Sequence, residues 1–405
     1  MKGFTTTIDA PTKRPLPLVP RCGECGLFRH CKSPKMGVAG QGRKKILVVG
    51  EAPGAQEDDQ GEPFVGASGE LVGEVMARAG IDFRVDCWIM NAAACRPENN
   101  KLPPKAVEHC RPLVVKAIEE LKPRVVLLLG GSAIKSVVGW AWKEDVGAAG
   151  RWEGWQIPHQ GTNSWLCPTV HPAYIFYAEN SDMVRMFFER HVAAAVALHG
   201  SRPWKERPQW ERQVKVLLDP DEAARRIVML SVNHGQKQAA EYGKPLAFDL
   251  ETTSLKSFSS NAEIYCCSLS DGVYSYAFPW HGAVVDAMRD FLVSDVPKIG
   301  FNCKFESVWL KAKLGVTVRN WIWDGMIATH VLDNRDSVCS LKFQAFVRLG
   351  MGAYDDEVAL YLKAKGSHAR NRIREAPLDK VLRYCAMDSL LEHRLWQLQQ
   401  KEFDR

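Results

Sequence analysis

The sequence predicts an α/β protein of two domains, each organised around its own sheet. Three observations predict it. Two short apolar runs, Lys44–Gly50 (KKILVVG) and Arg124–Gly130 (RVVLLLG), have the form of buried parallel strands ending in glycine. Helical patterns over Leu71–Ala79, Pro104–Leu121 and Ala133–Val138 lie between and after them, so residues 20–200 read as one α/β domain with a parallel sheet. Residues 201–212, with two prolines and no periodicity, then precede a second strand, helix and strand over Val214–Leu218, Asp221–Gly235 and Pro245–Leu250. The expected division is a tail over 1–20, a domain over 21–200, a linker over 201–212 and a second domain over 213–405.

A chain of 405 residues, 46% hydrophobic and 25% charged, can bury two ordinary cores. Met1–Pro20 is polar and proline-bearing, and no apolar run approaches the roughly 18 residues of a membrane span. The expected location is therefore the cytoplasm, with no membrane partner. The net charge of +6 is unevenly spread, with a basic first fifty residues followed by an acidic fifty. Arg29, Lys32, Lys35, Arg43, Lys44 and Lys45 are placed to neutralise phosphates, although a solvated charged loop has the same composition.

Twelve cysteines without a secretory signal argue against a disulfide framework and for reduced thiols, some of them holding metal. Cys22 and Cys25 form a C-x2-C pair. Cys95 follows a strand-like segment and Cys110 lies within a helical one. Four thiolates of this kind hold zinc or an iron–sulfur cluster, and spacing leaves both open. Cys31 stands near enough to compete as a ligand. The other seven, in apolar stretches, read as core thiols.

Directly after the first strand come Gly50-Glu51-Ala52-Pro53-Gly54, then Glu57-Asp58 and Gly61-Glu62-Pro63-Phe64-Val65-Gly66. Asn91 ends the strand-like Cys87–Met90 segment, Cys95-Arg96-Pro97 forms a turn, and Pro168-Thr169-Val170-His171-Pro172-Ala173-Tyr174 follows downstream. Together, in this order, these motifs make residues 20–200 resemble the family 4 uracil-DNA glycosylases. The start of the segment, Cys22–Met36 with Cys31, is similar to the glycosylase domain fused to certain bacteriophage DNA polymerases. The resemblance implies an α/β/α sandwich and a structural [4Fe–4S] cluster on Cys22, Cys25, Cys95 and Cys110.

It also implies roles that the side-chain chemistry suits, since base excision requires the base to be flipped into a fitted pocket. Phe64 offers a face for the pyrimidine, and Asn91 can donate and accept at once along the O4 and N3–H edge of uracil. Glu51 would orient water and stabilise positive charge on the sugar, and His171 would stabilise the departing base at O2. Glu57 would crowd the C5 position and exclude the thymine methyl. Two positions depart from the family: Tyr177 and Lys101 stand where arginines are usual. Tyr177 could stack in the vacated base position, and Lys101 keeps a phosphate contact without a bidentate fork.

In the second domain, Asp249 and Glu251 of Ala247–Thr253 lie two apart on a strand, which puts both carboxylates on one face. Alone that pattern is weak. Gly300–Glu306 (GFNCKFE) and Arg383–Asp388 (RYCAMD) strengthen it, and the three segments resemble the proofreading 3′-5′ exonuclease domain of family A DNA polymerases, of the DEDD superfamily, over about residues 213–400. The resemblance implies a ribonuclease H-like mixed sheet and two Mg²⁺ or Mn²⁺ ions held by Asp249, Glu251, Glu306 and Asp388. Tyr384, four residues before Asp388, would orient the attacking water. Glu306 stands where the family has aspartate, and the extra methylene carries its carboxylate about 1.5 Å further along the stem. Asp324, in helix-like Trp323–Val331, is an additional acidic residue for which a structural role is the simpler expectation.

The expected function is thus a DNA repair and replication enzyme that excises uracil and removes nucleotides from 3′ ends. The alternative is a DNA-binding, uracil-sensing accessory subunit with little or no catalysis. Expected partners are single-stranded or uracil-containing DNA and 3′ ends; with no polymerase motif up to Arg405, the chain is a fragment, the exonuclease subunit of a split polymerase with a separate polymerase partner, or an enzyme acting alone. A bacteriophage source would make the location the host cytoplasm.

Overall fold

Alternation within the strands decides how the first sheet is layered. The computed structural model describes residues 19–178, 181–235, 244–259, 261–366 and 369–404, so most of the tail expected over 1–20 lies outside the described residues. Two units emerge: residues 19–207 with Phe346–Gly352, and residues 208–345 with 353–404. The division at Arg207 and Pro208 falls inside the proline-bearing stretch.

The first unit holds β1 (Ile46–Gly50), β2 (Cys87–Asn91), β3 (Val125–Leu129), β4 (Ile157–His159) and β5 (Ser164–Thr169), in the order β2-β1-β3-β5-β4. All pairings are parallel except the edge pair β4–β5. Every residue of β1 and β3 is buried, as expected of strands covered on both faces. Ile46, Val48, Cys87, Ile89, Val125 and Leu127 share one core with Val72, Met76, Phe188 and Val192 from the helices Ala67–Arg78 and Ser181–Ala197. The helices Ala106–Leu121 and Gly130–Ala141 pack on each other beside the same sheet. The result is an α/β/α sandwich, with strands where the apolar runs placed them. Gly130, included in the second run, instead opens a helix at φ +82°, because the all-apolar stretch ends at a residue free to turn left-handed.

The second unit holds β6 (Val214–Val216), β7 (Leu246–Thr252), β8 (Ile264–Ser270), β9 (Ser275–Pro279), β10 (Lys298–Gly300) and β11 (Trp321–Asp324), ordered β11-β10-β7-β8-β9-β6. The β7–β8–β9 meander is antiparallel and the remaining pairs are parallel, giving a mixed sheet. Leu246, Phe248 and Leu250 enter a core with the helices Pro220–Gly235 and Ala283–Val293. Asp249 and Glu251 therefore project to the other face. The 26-residue helix Leu378–Phe403 packs along the sheet, and Ser268 Oγ donates to the Cys385 carbonyl (2.7 Å) and to Ser389 Oγ (2.8 Å) across that contact.

One expected helix is shorter than its pattern. Trp321–Asp324 is a strand and the helix begins at Gly325, because Asp324 accepts the Met326 amide at 2.9 Å and so stands outside as the N-cap. The same carboxylate accepts the amides of Asn302 (3.0 Å) and Cys303 (2.8 Å), which fixes the start of the helix Cys303–Leu314. Asp324 is structural. In the basic loop, Lys32 pairs with Asp59 at 2.6 Å, and Arg43 and Lys44 both reach buried Asp86, at 2.7 and 3.1 Å.

Candidate active sites

In the first unit the motif residues meet at the carboxyl ends of β1, β2, β3 and β5, where parallel α/β sheets place their ligands. Gly50 and Asn91 are paired neighbours at the last positions of β1 and β2. A Cβ built on Gly50 would lie 2.5 Å from Asn91 Oδ1 and still closer to the Phe64 ring, so all three converge on one point. Asn91 is 8% exposed, and its carboxamide has no side-chain hydrogen bond among the described residues. A buried amide in that state is open to a ligand.

Phe64 adopts φ +59°, unusual for a bulky residue, and the turn is held by its surroundings. Arg84 donates to the carbonyls of Pro63 (3.0 Å) and Phe64 (2.7 Å), and the Phe83 ring meets Phe64 edge-on at 5.9 Å. Glu57 accepts the amides of Gly54 and Gly66, both at 3.0 Å, one on each carboxylate oxygen. Its side chain is thereby locked between the two glycine turns that flank the Phe64 loop. Glu51, just past β1, accepts from Ser132 Oγ at 2.9 Å.

His171 caps the short helix Pro172–Ile175, its Nδ1 accepting the Ala173 amide at 3.2 Å. The ring proton therefore sits on Nε2. Burial holds the imidazole below its ordinary range against the opposing pull of Glu51, so it is neutral at pH 7. Gly130 leaves the room it needs: a Cβ there would lie 2.6 Å from that of His171.

The thiols gather at a separate place. Cys110 is pushed up by burial, and Cys25 and Cys22 add to the effect. Burial also lifts Cys95, to about 11, partly offset by the Lys35 amide donating to its sulfur at 3.2 Å, while Cys31 and Cys110 raise it further. All four expected ligands are thus brought together, with Cys31 beside Cys95. Of the other seven cysteines, all are buried except half-buried Cys339.

In the second unit Asp249, Glu251 and Asp388 offer oxygens that lie within 4.8 Å of one another. Burial pushes Asp249 up to about 8, with Asp388 adding to it, and drives Glu251 well above the carboxylate range. Burial lifts Asp388 to about 6, against the Tyr354 hydroxyl that donates to it at 2.5 Å and the charge of Lys342. One buried and two half-buried carboxylates gathered this closely form a site suited to a divalent cation. The Tyr384 ring stacks on Tyr354 at 5.8 Å, with Lys342 Nζ 5.8 Å from its centroid. Glu306 is buried nearby, at 4% exposure.

Residues 38–195 match the model of the uracil DNA glycosylase superfamily and residues 231–404 that of a 3′-5′ exonuclease. The type-4 uracil-DNA glycosylase of Pyrobaculum aerophilum is 37% identical over 163 residues, 39% of this chain and 81% of that protein. The chain belongs to the type-4 uracil-DNA glycosylase family. The corresponding protein of Archaeoglobus fulgidus is 35% identical over 38% of this chain and 78% of its own. A DNA polymerase of Bacillus phage SP01 is 25% identical over 78% of this chain, which spans 36% of that polymerase. The type-4 glycosylase unit is thus followed by a 3′-5′ exonuclease unit, and both act on DNA.

Several residues of the glycosylase site escaped sequence reading. Ser132 and Arg84 lie outside the motifs, and only the fold brings them to Glu51 and Phe64; the contact of Gly130, the glycine ending the second apolar run, with His171 is likewise set by the fold. Tyr354 of the exonuclease, in a loop far from the three acidic segments, likewise carries no local signal. Gly50→Ala should reduce uracil excision at least about 100-fold, because its methyl would displace Phe64 or Asn91, each held in place by packing. Strand burial makes a stability loss of about 1–3 kcal/mol the accompanying expectation. Excision assays and thermal melts of this variant check both.

Proposed function

We propose that the first unit excises uracil from DNA with Glu51, Asn91 and His171, and that the second releases nucleotides from 3′ ends at Asp249, Glu251, Glu306 and Asp388. The observation that carries the first half is the convergence of Gly50, Phe64 and an unpartnered Asn91 carboxamide at the strand ends. A flipped pyrimidine stacked on Phe64 presents N3–H and O4 to Asn91, which accepts from one and donates to the other. As the glycosidic bond lengthens, negative charge passes to the base, where neutral His171 donates through Nε2–H toward O2. Glu51, oriented by Ser132, stabilises the cationic sugar and positions water. Glu57, locked by Gly54 and Gly66, keeps the C5 side closed to a methyl group.

The cysteine site fits a [4Fe–4S] cluster on Cys22, Cys25, Cys95 and Cys110, with a structural role. Among the described residues the acidic triad alone brings three ligand atoms within 4.8 Å. Sulfurs around one tetrahedral zinc, at about 2.3 Å each, would lie closer together than that. The wider spread supports a cluster over a single ion. Cys95→Ala should abolish visible absorbance, and metal analysis of anaerobically purified protein should find iron, without stoichiometric zinc.

In the second unit, bound Mg²⁺ or Mn²⁺ would supply an activated water and charge stabilisation for in-line displacement. Tyr354 holds Asp388 and, through stacking, the ring of Tyr384. Tyr384 is then placed to orient the attacking water. Action beside a DNA polymerase is supported by the likeness to the phage enzyme. The deciding experiment incubates the purified chain with single-stranded oligonucleotides, with and without uracil, in Mg²⁺ or EDTA. Alkali-labile sites at uracil in both conditions, and 3′ shortening in Mg²⁺ alone, are expected. Tight binding with neither product would make it a uracil-sensing accessory protein.

A further inference from the structure

The strand that carries Asp249 and Glu251 runs out into a loop that is laced to a distant basic segment. Asn371 joins the two: its amide donates to the Thr253 carbonyl (3.0 Å) and its Nδ2 to the Thr252 carbonyl (2.8 Å). One residue earlier, Arg370 forms an antiparallel bridge with Ser254. Thr252 Oγ1 also donates to the Ser254 carbonyl at 2.8 Å, so the loop is tied from within as well. At about 3.3 Å per extended residue, Ser254 stands roughly 10 Å along the backbone from Glu251.

The charges of this segment are not equally engaged. Arg372 pairs with Glu375 at 3.6 Å and Arg374 pairs with Glu263, whereas the exposed guanidinium of Arg370 has no hydrogen bond or ion pair among the described residues. Lys363 and Lys365 are exposed in the same state, on an excursion closed at its base by the Arg372 amide donating to the Tyr361 carbonyl (2.7 Å). On the loop beyond Ser254, Phe258 is 82% exposed. Unpaired cations and an exposed ring are the groups that hold a single strand, the first by its phosphates and the second by its bases. Most surface arginines are merely solvated, but the backbone holds this one at a set distance from three carboxylates. Those carboxylates repel an incoming phosphodiester chain, and a fixed cation nearby offsets that repulsion.

We propose that Arg370 binds a backbone phosphate of the DNA strand whose 3′ end lies at the acidic triad, about three nucleotides from that end at about 3.4 Å each. This rests on the reading of the second unit as a nuclease. The guanidinium fork suits two oxygens of one phosphate, and the bridge to Ser254 sets its distance from the bond to be cleaved. Arg370 is thus a substrate-binding residue that places the strand end over the carboxylates.

The test changes protein and substrate together in the full chain. Uracil-free single strands carry a neutral methylphosphonate at each of the first few linkages from the 3′ end in turn. Shortening in Mg²⁺ is followed for wild type, Arg370→Gln, Arg370→Lys and Arg372→Gln, each checked for folding by circular dichroism. Wild type should lose about fivefold or more in kcat/KM at one linkage upstream of the cleaved one. Arg370→Gln should show that loss on the unmodified strand, mainly in KM, and no further loss from the methylphosphonate at the same linkage. Arg370→Lys should retain part of the contact, and Arg372→Gln, whose cation is already paired, should stay within about twofold of wild type. An unchanged KM in Arg370→Gln, or methylphosphonate penalties equal to those of wild type at every linkage, overturns the assignment. Failure of wild type to shorten any strand in Mg²⁺ overturns the nuclease reading instead. Binding of a uracil-free strand in Ca²⁺ then decides Arg370 separately: the contact requires a salt dependence shallower by about 0.7 in Arg370→Gln, and an equal slope refutes it.

Discussion

Asp249→Asn should lower nucleotide release from 3′ ends by about 10³-fold or more, a loss of about 4 kcal/mol of transition-state stabilisation. Uracil excision by the same protein should stay at the wild-type rate. Asp249 shares the acidic triad with Glu251 and Asp388, their ligand oxygens lying within 4.8 Å of one another. An isosteric amide removes the charge and preserves the volume. A 3′-labelled single-strand digestion gives the rate, and equal degradation by wild type and variant would remove the nuclease assignment.

The same residue predicts a pH dependence. Burial, then Asp388, raises Asp249 to about 8 in the folded chain, whereas an unfolded aspartate titrates near 3.9. Between those values the folded state keeps a proton that the unfolded state has released, so stability is greatest below about pH 4 for this group and falls as pH rises toward 8. Without divalent ions, the melting transition of the nuclease unit should therefore drop from pH 5 to pH 8. Mn²⁺ should flatten that slope by binding the ionised form. Asp249→Asn should flatten it without metal and raise the transition at pH 8. A metal-free transition that climbs over this range would contradict the buried-acid account.

His171→Ala should reduce uracil excision by about 10²–10³-fold, the usual cost of losing one donor aimed at developing negative charge. The effect should appear in the single-turnover rate more than in binding, because the ground-state base carries little charge at O2. Burial depresses the His171 pKa, with Glu51 opposing, so the imidazole remains neutral below its ordinary value near 6.5. The wild-type rate should accordingly stay level from pH 8 to below 6.5, then fall once the ring is protonated and its Nδ1 contact to the Ala173 amide is lost. A rate that rises as pH falls through 6.5 would show a cationic histidine at work. Glu51, held by Ser132, should remain in place in the variant and leave residual activity.

Much of both sites was legible because their chemistry sits in short contiguous motifs. A strand of period two dictated that Asp249 and Glu251 share a face, and helical spacing put Tyr384 beside Asp388; the structure keeps both relations. The apolar runs fixed β1 and β3, hence the strand ends where Glu51 and Gly130 emerge. By contrast, Arg84, Ser132 and Tyr354 act through partners 20, 81 and 34 residues away, and no local pattern encodes such a pairing. Trp323–Val331 misled for a related reason. Its apolar residues suit a helix, but Asp324 is drawn out of it by amides of a different helix.

By itself, then, the sequence determined the two-domain α/β class, its sheets and the candidate side chains, since periodicity and motif order are properties of neighbouring residues. Only the tertiary structure decided which of those groups are buried, protonated or already engaged. Lys32, Arg43 and Lys44 are spent on Asp59 and Asp86, and Glu57 on two amides. Glu392, unremarkable on a helix, is buried with one carboxylate oxygen that has no hydrogen-bond partner among the described residues. The physical reason is that desolvation and charge coupling depend on distances through space, which long-range packing sets and chain proximity does not.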